Sequence, residues 1–318
     1  MKSFIFKFII LSICIILGNF QITIAQKPKI IVSTDIGGSD PDDFQSMVHL
    51  LVYADKFDIL GLISSPPHDG RVVHIFEAID AYEKDYPKLQ VQNKTFPEPD
   101  YLRKVSKQGA TEPQSSEIPE NLSEGAAFII SQIRDHPDSP VYVLVWGSIT
   151  DVAQAVHHDP SIKKNLRIYS IGSWNTDQDP NSRKYLFRNH QDLWWIENNT
   201  TFRGMYMGGD QSGDYGNISF VKKHIKGHGF LGGLFWEQKK DIKMGDTPSV
   251  LYLLHGDPEN PESESWGGSF VKTGYGSNYW TDNPDPTMVE NNRPGAKTVN
   301  KWRNEFLDDW SRRMDWLK

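Results

Sequence analysis

The residues best suited to chemistry stand together near the amino terminus, in Ser33-Thr-Asp-Ile-Gly-Gly-Ser-Asp-Pro-Asp-Asp-Phe-Gln-Ser46. Four carboxylates, Asp35, Asp40, Asp42 and Asp43, fall within nine residues, directly after the apolar run Ile30-Ile31-Val32. Helix capping is one account: Ser39 or Asp40 suits a cap, Pro41 the first helical position, and Asp42 and Asp43 complement the dipole. That account covers three of the acids and leaves Asp35 without a role. Asp35 closes a strand just before Ile36-Gly37-Gly38, whose glycines permit a bend sharp enough to return it towards Asp42 and Asp43. Carboxylates pressed together repel, and one pKa rises unless a cation intervenes. Hard oxygen ligands without His or Cys select Ca²⁺ or Mg²⁺ rather than zinc.

The elements that must position these acids read as an α/β fold, a mainly parallel open sheet flanked by helices. Strands are expected over 29–34, 59–64, 141–146, 166–172 and 193–196. Helices are expected from about Asp42, from Val72 to Tyr82, over 124–134, and from Pro248 to Leu254, with a closing helix carrying Val299, Trp302, Phe306, Trp310 and Leu317. Residues 87–119 read as a surface excursion and 257–294 as loops, because Pro, Gly, Asn and charge dominate them. Asp35 would then sit at the carboxyl edge of a parallel sheet, where such folds bind ligands.

The segment 1–25 has Lys2 and Lys7, an apolar run from Phe8 to Leu17 and no acid, which is the layout of a cleaved export signal. The alternative is an uncleaved anchor. The remaining 26–318 is expected to form the folded part, in the periplasm or secreted. Cys14, the only cysteine, lies in the signal, so neither a disulfide nor a thiolate metal site is expected in the mature chain. Removing Lys2 and Lys7 takes the net charge from −7 to −9, which argues against nucleic acid and anionic membranes as partners. Homo-oligomerisation is left open.

The opening motif resembles the Asp-Thr-Asp-Pro-Gly-x-Asp-Asp motif of nucleoside hydrolases, matched by Thr34-Asp35, Gly37 and Asp42-Asp43. Here the loop is three residues longer and Ser33 replaces the first aspartate. The likeness is strongest to a secreted bacterial branch often labelled cellulose-binding, through IGGSDPDDFQSM, IENNTTFRGMYMGGDQSGDYG and GDTPSVLYLL.

The resemblance implies a nucleoside hydrolase-like fold and one Ca²⁺ at the bottom of the pocket. It makes Asp35 both ligand and general base, Asp43 a second ligand, and Asp42 an acceptor for a sugar hydroxyl. The carbonyl of Thr150, in Gly147-Ser-Ile-Thr-Asp151, and Asp246, in Gly245-Asp-Thr-Pro248, complete the metal set. Asn175, Glu197 and Asn199 are implied sugar ligands. Gly245 stands where part of the family has a histidine that protonates the leaving group. Among the tryptophans, Trp174, Trp236 and Trp266 are candidates to stack on a sugar or base, against core packing as the ordinary role. The expectation is a Ca²⁺-dependent hydrolase acting on an N-glycosidic bond of a ribosyl or glycan small molecule. The alternatives are a non-catalytic carbohydrate binder that keeps the metal as a hydroxyl clamp, and a purely structural ion.

Overall fold

Along Lys29–Thr34 (β1), side chains alternate between two apolar layers: Ile30 and Val32 enter one core and Ile31 the other. The computed structural model describes residues 26–66 and 69–318, so the segment read as an export signal lies outside the described residues. After β1 come Asp42–Val52 (α1), Asp58–Ser64 (β2), Val72–Gln92 (α2), Pro99–Lys104 (α3), Ser106–Gln108 (β3) and Glu124–Arg134 (α4). The middle of the chain supplies Val141–Val145 (β4), Thr150–His158 (α5), Leu166–Ile171 (β5), Trp174–Gln178 (α6), Pro180–Asn189 (α7) and Trp194–Asn198 (β6). Asn217–Phe220 (α8), Gly229–Gln238 (α9), Thr247–Leu254 (α10), Phe270–Lys272 (β7), Tyr279–Asp282 (β8), Ala296–Asn300 (α11) and Arg303–Met314 (α12) complete it.

The eight strands form one sheet in the order β3-β2-β1-β4-β5-β6-β8-β7. Every pairing is parallel except β7 with β8. One face carries a core built with α1, α2, α9, α10 and α12, and the other a core built with α4, α5 and α7. The chain runs outward in opposite directions from β1 and β4, so a crevice opens where their carboxyl ends meet. Those ends are followed by Asp35 and Trp146.

Three expectations needed correction. Pro87 does not end α2, because it lies on the exposed side, where the carbonyl it leaves without a donor faces water. The excursion at 87–119 also contains β3, which pairs Ser106 with Leu62. The supposed loops of 257–294 contain β7 and β8, and β8 joins β6 through Ile196 and Trp280. Strands of three or four residues carry no readable alternation; their pairing is decided by distant partners.

Candidate metal centre

Gly37 takes φ +85, and the N–H of Gly38 returns to the carbonyl of Asp35 at 2.8 Å, closing the turn after β1. The Thr34 hydroxyl donates to Asp43 Oδ1 and accepts the N–H of Ile36 at 3.1 Å. The end of the strand is thereby tied to the first turn of α1. Pro41 occupies the cap position of α1 without a side-chain cap bond, so neither Ser39 nor Asp40 fills that place.

The opposite wall comes from the chain before α10. Gln45 of α1, fully buried, donates through Nε2 to the carbonyls of Lys239 (3.2 Å) and Asp241 (2.8 Å). Its Oε1 accepts the N–H groups of Lys243 (3.1 Å) and Met244 (3.2 Å). One amide thus fixes the approach to Gly245, whose N–H donates to Asp42 Oδ2 at 3.1 Å. Asp246 stands at the start of α10 but makes no side-chain cap bond. Its buried Oδ2 has no hydrogen-bond partner among the described residues.

Asp42, Asp43 and Asp246 each place one oxygen so that all three lie within 4.8 Å of one another, and all three residues are buried. With Asp35 they line a cavity of about 150 Å³, together with Trp146, Trp174, Asn175, Arg203 and Lys243. Lys243 pairs with Asp40 and stands 3.9 Å from Asp42 Oδ1. Burial, reinforced by the charge of Asp42, pushes Asp35 up to about 7. Burial and then the charge of Asp43 push Asp42 up to about 7 as well, against the opposing N–H of Gly245. Asp43 and Asp246 are raised by burial first and by neighbouring carboxylates second. Four buried acids face Lys243 and Arg203 in the cavity lining, with Lys239 acting on Asp42 from outside it, so the donor set stays short of positive charge. A buried triad of this kind can hold a metal ion.

The other sequence-derived residues divide. Asn175 reaches the cavity and donates from Nδ2 to the carbonyls of Trp146 (2.8 Å) and Ile171 (3.1 Å). Thr150, the first residue of α5, is buried with its hydroxyl on Asp179 Oδ2 at 2.6 Å, and is not among the residues lining this cavity. Glu197 points to the opposite face of the sheet, gripped by Arg183 Nε (2.8 Å), Arg183 Nη2 (2.7 Å) and the Tyr279 hydroxyl. Asn199 supports the wall rather than lining it: its Oδ1 accepts the N–H of Ser173 at 3.1 Å. Gln45, Ser173, Arg203 and Lys243 were missed as site residues. Only the closeness of Lys243 to Asp246 in sequence offered a signal.

Sheet order, reversal point and acid-floored crevice together place the fold among nucleoside hydrolase-like α/β proteins. A nucleoside hydrolase-related protein from Saccharophagus degradans, associated with carbohydrate metabolism, is 24% identical with TM-score 0.71, over 92% of this chain and 72% of its own. A purine-preferring ribonucleoside hydrolase from Gardnerella vaginalis matches at 15% identity and TM-score 0.51, over 91% of this chain and 98% of its own. The type III effector XopQ, solved with adenosine diphosphate ribose, matches at 9% identity and TM-score 0.57, over 92% of this chain and 95% of its own. No curated protein matches the sequence. Residues 29–270 match the family of cellulose-binding Sde182, nucleoside hydrolase-like domain, and the chain belongs to that family. Among the described residues no helix is long and apolar enough to cross a membrane.

Proposed function

We propose that the protein is an exported Ca²⁺-dependent hydrolase that cleaves an N-glycosidic bond in a nucleoside-like small molecule. The observation that carries this reading is the convergence of three buried carboxylates within 4.8 Å, with one Asp246 oxygen left unpartnered. Asp43 and Asp246 of that triad, with Asp35 and the carbonyl of Thr150, would hold the cation, and Asp42, its third member, would stand beside it. The cation's chemistry there is to acidify water and fix a sugar diol. Asp35 takes the proton of the attacking water; burial in the cation-free site raises its proton affinity towards neutral pH. Asp42, fixed by the Gly245 N–H, accepts a hydrogen bond from a sugar hydroxyl. The acidic floor stabilises the positive charge that develops on the sugar ring.

A second reading, glycan binding without turnover, is favoured by one observation. Gly245 contributes no side chain where an acid would protonate the leaving group, and a Cβ built there would lie 2.8 Å from Asp42 Oδ2. The family's cellulose-binding description agrees with it. Mature protein incubated with nucleosides and glycans, with Ca²⁺ or chelator, separates the two. Hydrolysis predicts free sugar released by the native protein and a fall of about 10²–10⁴-fold in Asp35→Asn, the range removed with a general base. Glycan binding without release, retained in Asp35→Asn, would establish the second reading instead.

A further inference from the structure

Part of the cavity lining is built from different material than the acids. Ser173, just after β5, has φ 59 and ψ −112, a conformation that residues with a Cβ rarely adopt. Its surroundings impose it: its N–H is bound to Asn199 Oδ1 at 3.1 Å and its carbonyl accepts the N–H of Asp177 at 3.1 Å. The next residue, Trp174, is consequently presented at the rim of the cavity, 57% exposed.

Arg203 lines the same wall. Its Nη1 donates to the Asn199 carbonyl at 3.2 Å, its Nη2 to Ser173 Oγ at 3.4 Å, and the guanidinium lies 4.6 Å from the Phe202 ring centre. All these partners are neutral, and Arg203 forms no ion pair among the described residues. Nε–H and one hydrogen on each terminal nitrogen stay available. Lys243, which lines the same cavity, already has Asp40 as its counter-ion. The cavity therefore pairs a carboxylate floor with an unneutralised guanidinium beside an exposed indole. A planar guanidinium fork fits a carboxylate or phosphate, and an indole face fits the C–H side of a sugar ring.

We propose that this wall is an anion-recognising subsite: Arg203 takes the carboxylate or phosphate of an acidic sugar whose ring lies on Trp174, while its hydroxyls face Asp35 and Asp42. The sugar half of this assignment rests on the reading given under Proposed function; the anionic half rests on Arg203. Four carboxylates on the floor repel an acidic ligand, so the guanidinium decides whether such a sugar enters at all.

Calorimetric titration of the Ca²⁺-loaded protein tests the assignment with two matched pairs, ribose 5-phosphate against ribose and glucuronate against glucose. At least one acidic member is expected to bind about tenfold or more tightly than its neutral partner. The responding pair tells phosphate from carboxylate. The preference is expected to shrink with added salt, vanish in Arg203→Gln and persist in Arg203→Lys, with Trp174→Ala weakening acidic and neutral members alike. Thermal unfolding of each variant with Ca²⁺ checks that the fold is retained. Equal or tighter binding of the neutral sugars, a preference that survives Arg203→Gln, or no binding of any of the four by Ca²⁺-stabilised protein overturns the subsite. Hydrolysis of neutral nucleosides and its loss in Asp35→Asn would be untouched by that failure, so the two readings fall separately.

Discussion

Two regions of this molecule bury acidic side chains to the same depth and treat them in opposite ways. Asp55, on the α1–β2 connection, meets Arg313 of α12 at 2.5 Å, and the same guanidinium donates to the carbonyl of Val52 at 2.9 Å. Glu197 on β6 is likewise enclosed by Arg183 and Tyr279. At the carboxyl edge of the sheet, Asp35, Asp42, Asp43 and Asp246 are buried against one another instead. The fold thus has the means to neutralise an enclosed acid. Asp85 and Asp151 go singly without an ion pair, but among the described residues only this edge brings three buried carboxylates together. Burial of one carboxylate says little about function; burial of several against one another, with an Asp246 oxygen left unpartnered between them, says more.

The comparison is open to attack from both sides. Its largest expected effect is at the satisfied pair: Arg313→Ala leaves the enclosed Asp55 with only the exposed Lys56 at 4.0 Å, and denaturant unfolding should show a loss of about 3–5 kcal/mol. A loss below 1 kcal/mol would mean that Asp55 is not held as described.

A smaller but more diagnostic effect belongs to the unsatisfied acids. Asp35 and Asp42, pushed from the usual 3.8 to about 7, hold protons in the folded chain that the unfolded chain has already released. Cation-free protein should therefore lose stability as the pH rises from about 4 to about 7. Ca²⁺ at about a hundredfold excess over Kd should restore about 2.7 kcal/mol above that range and progressively less below it. Thermal unfolding with Ca²⁺ or chelator across these pH values reads both trends. Indifference to Ca²⁺ at alkaline pH would remove the metal from the account.

The smallest effect sharpens the boundary of the centre. In Gly245→Ala the new Cβ must push aside the Asp42 carboxylate, which lies 2.8 Å away. Affinity of the Ca²⁺-loaded protein for sugar, read by calorimetry, should fall about tenfold, as for the loss of one charge-assisted hydrogen bond. Overall stability without the ion should change much less.

How much of this was legible beforehand depends on how far each signal reaches along the chain. The β1–α1 junction was readable because strand, glycine turn and helix start are neighbours in sequence. Asp246 was placed by the Gly-Asp-Thr-Pro frame, although its side chain turned out not to cap α10. Glu197 could have been assigned to the wrong-facing side from alternation alone. Trp194 and Ile196 share one core and Trp195 the other, so Glu197 follows Trp195. Ser173 and Arg203 left no local trace, since strain and a missing counter-ion exist only once β5 and β6 lie side by side. The same holds for β7 and β8, whose few residues gain meaning only from pairing.

The hydrogen bond from Gly245 to Asp42 joins positions 203 residues apart. During synthesis the amino-terminal acids emerge early, yet their last companion appears only after six parallel strands have left the ribosome. Any ion held by this set is therefore captured only once residue 246 has been made, and ion capture follows the assembly of those strands rather than seeding it.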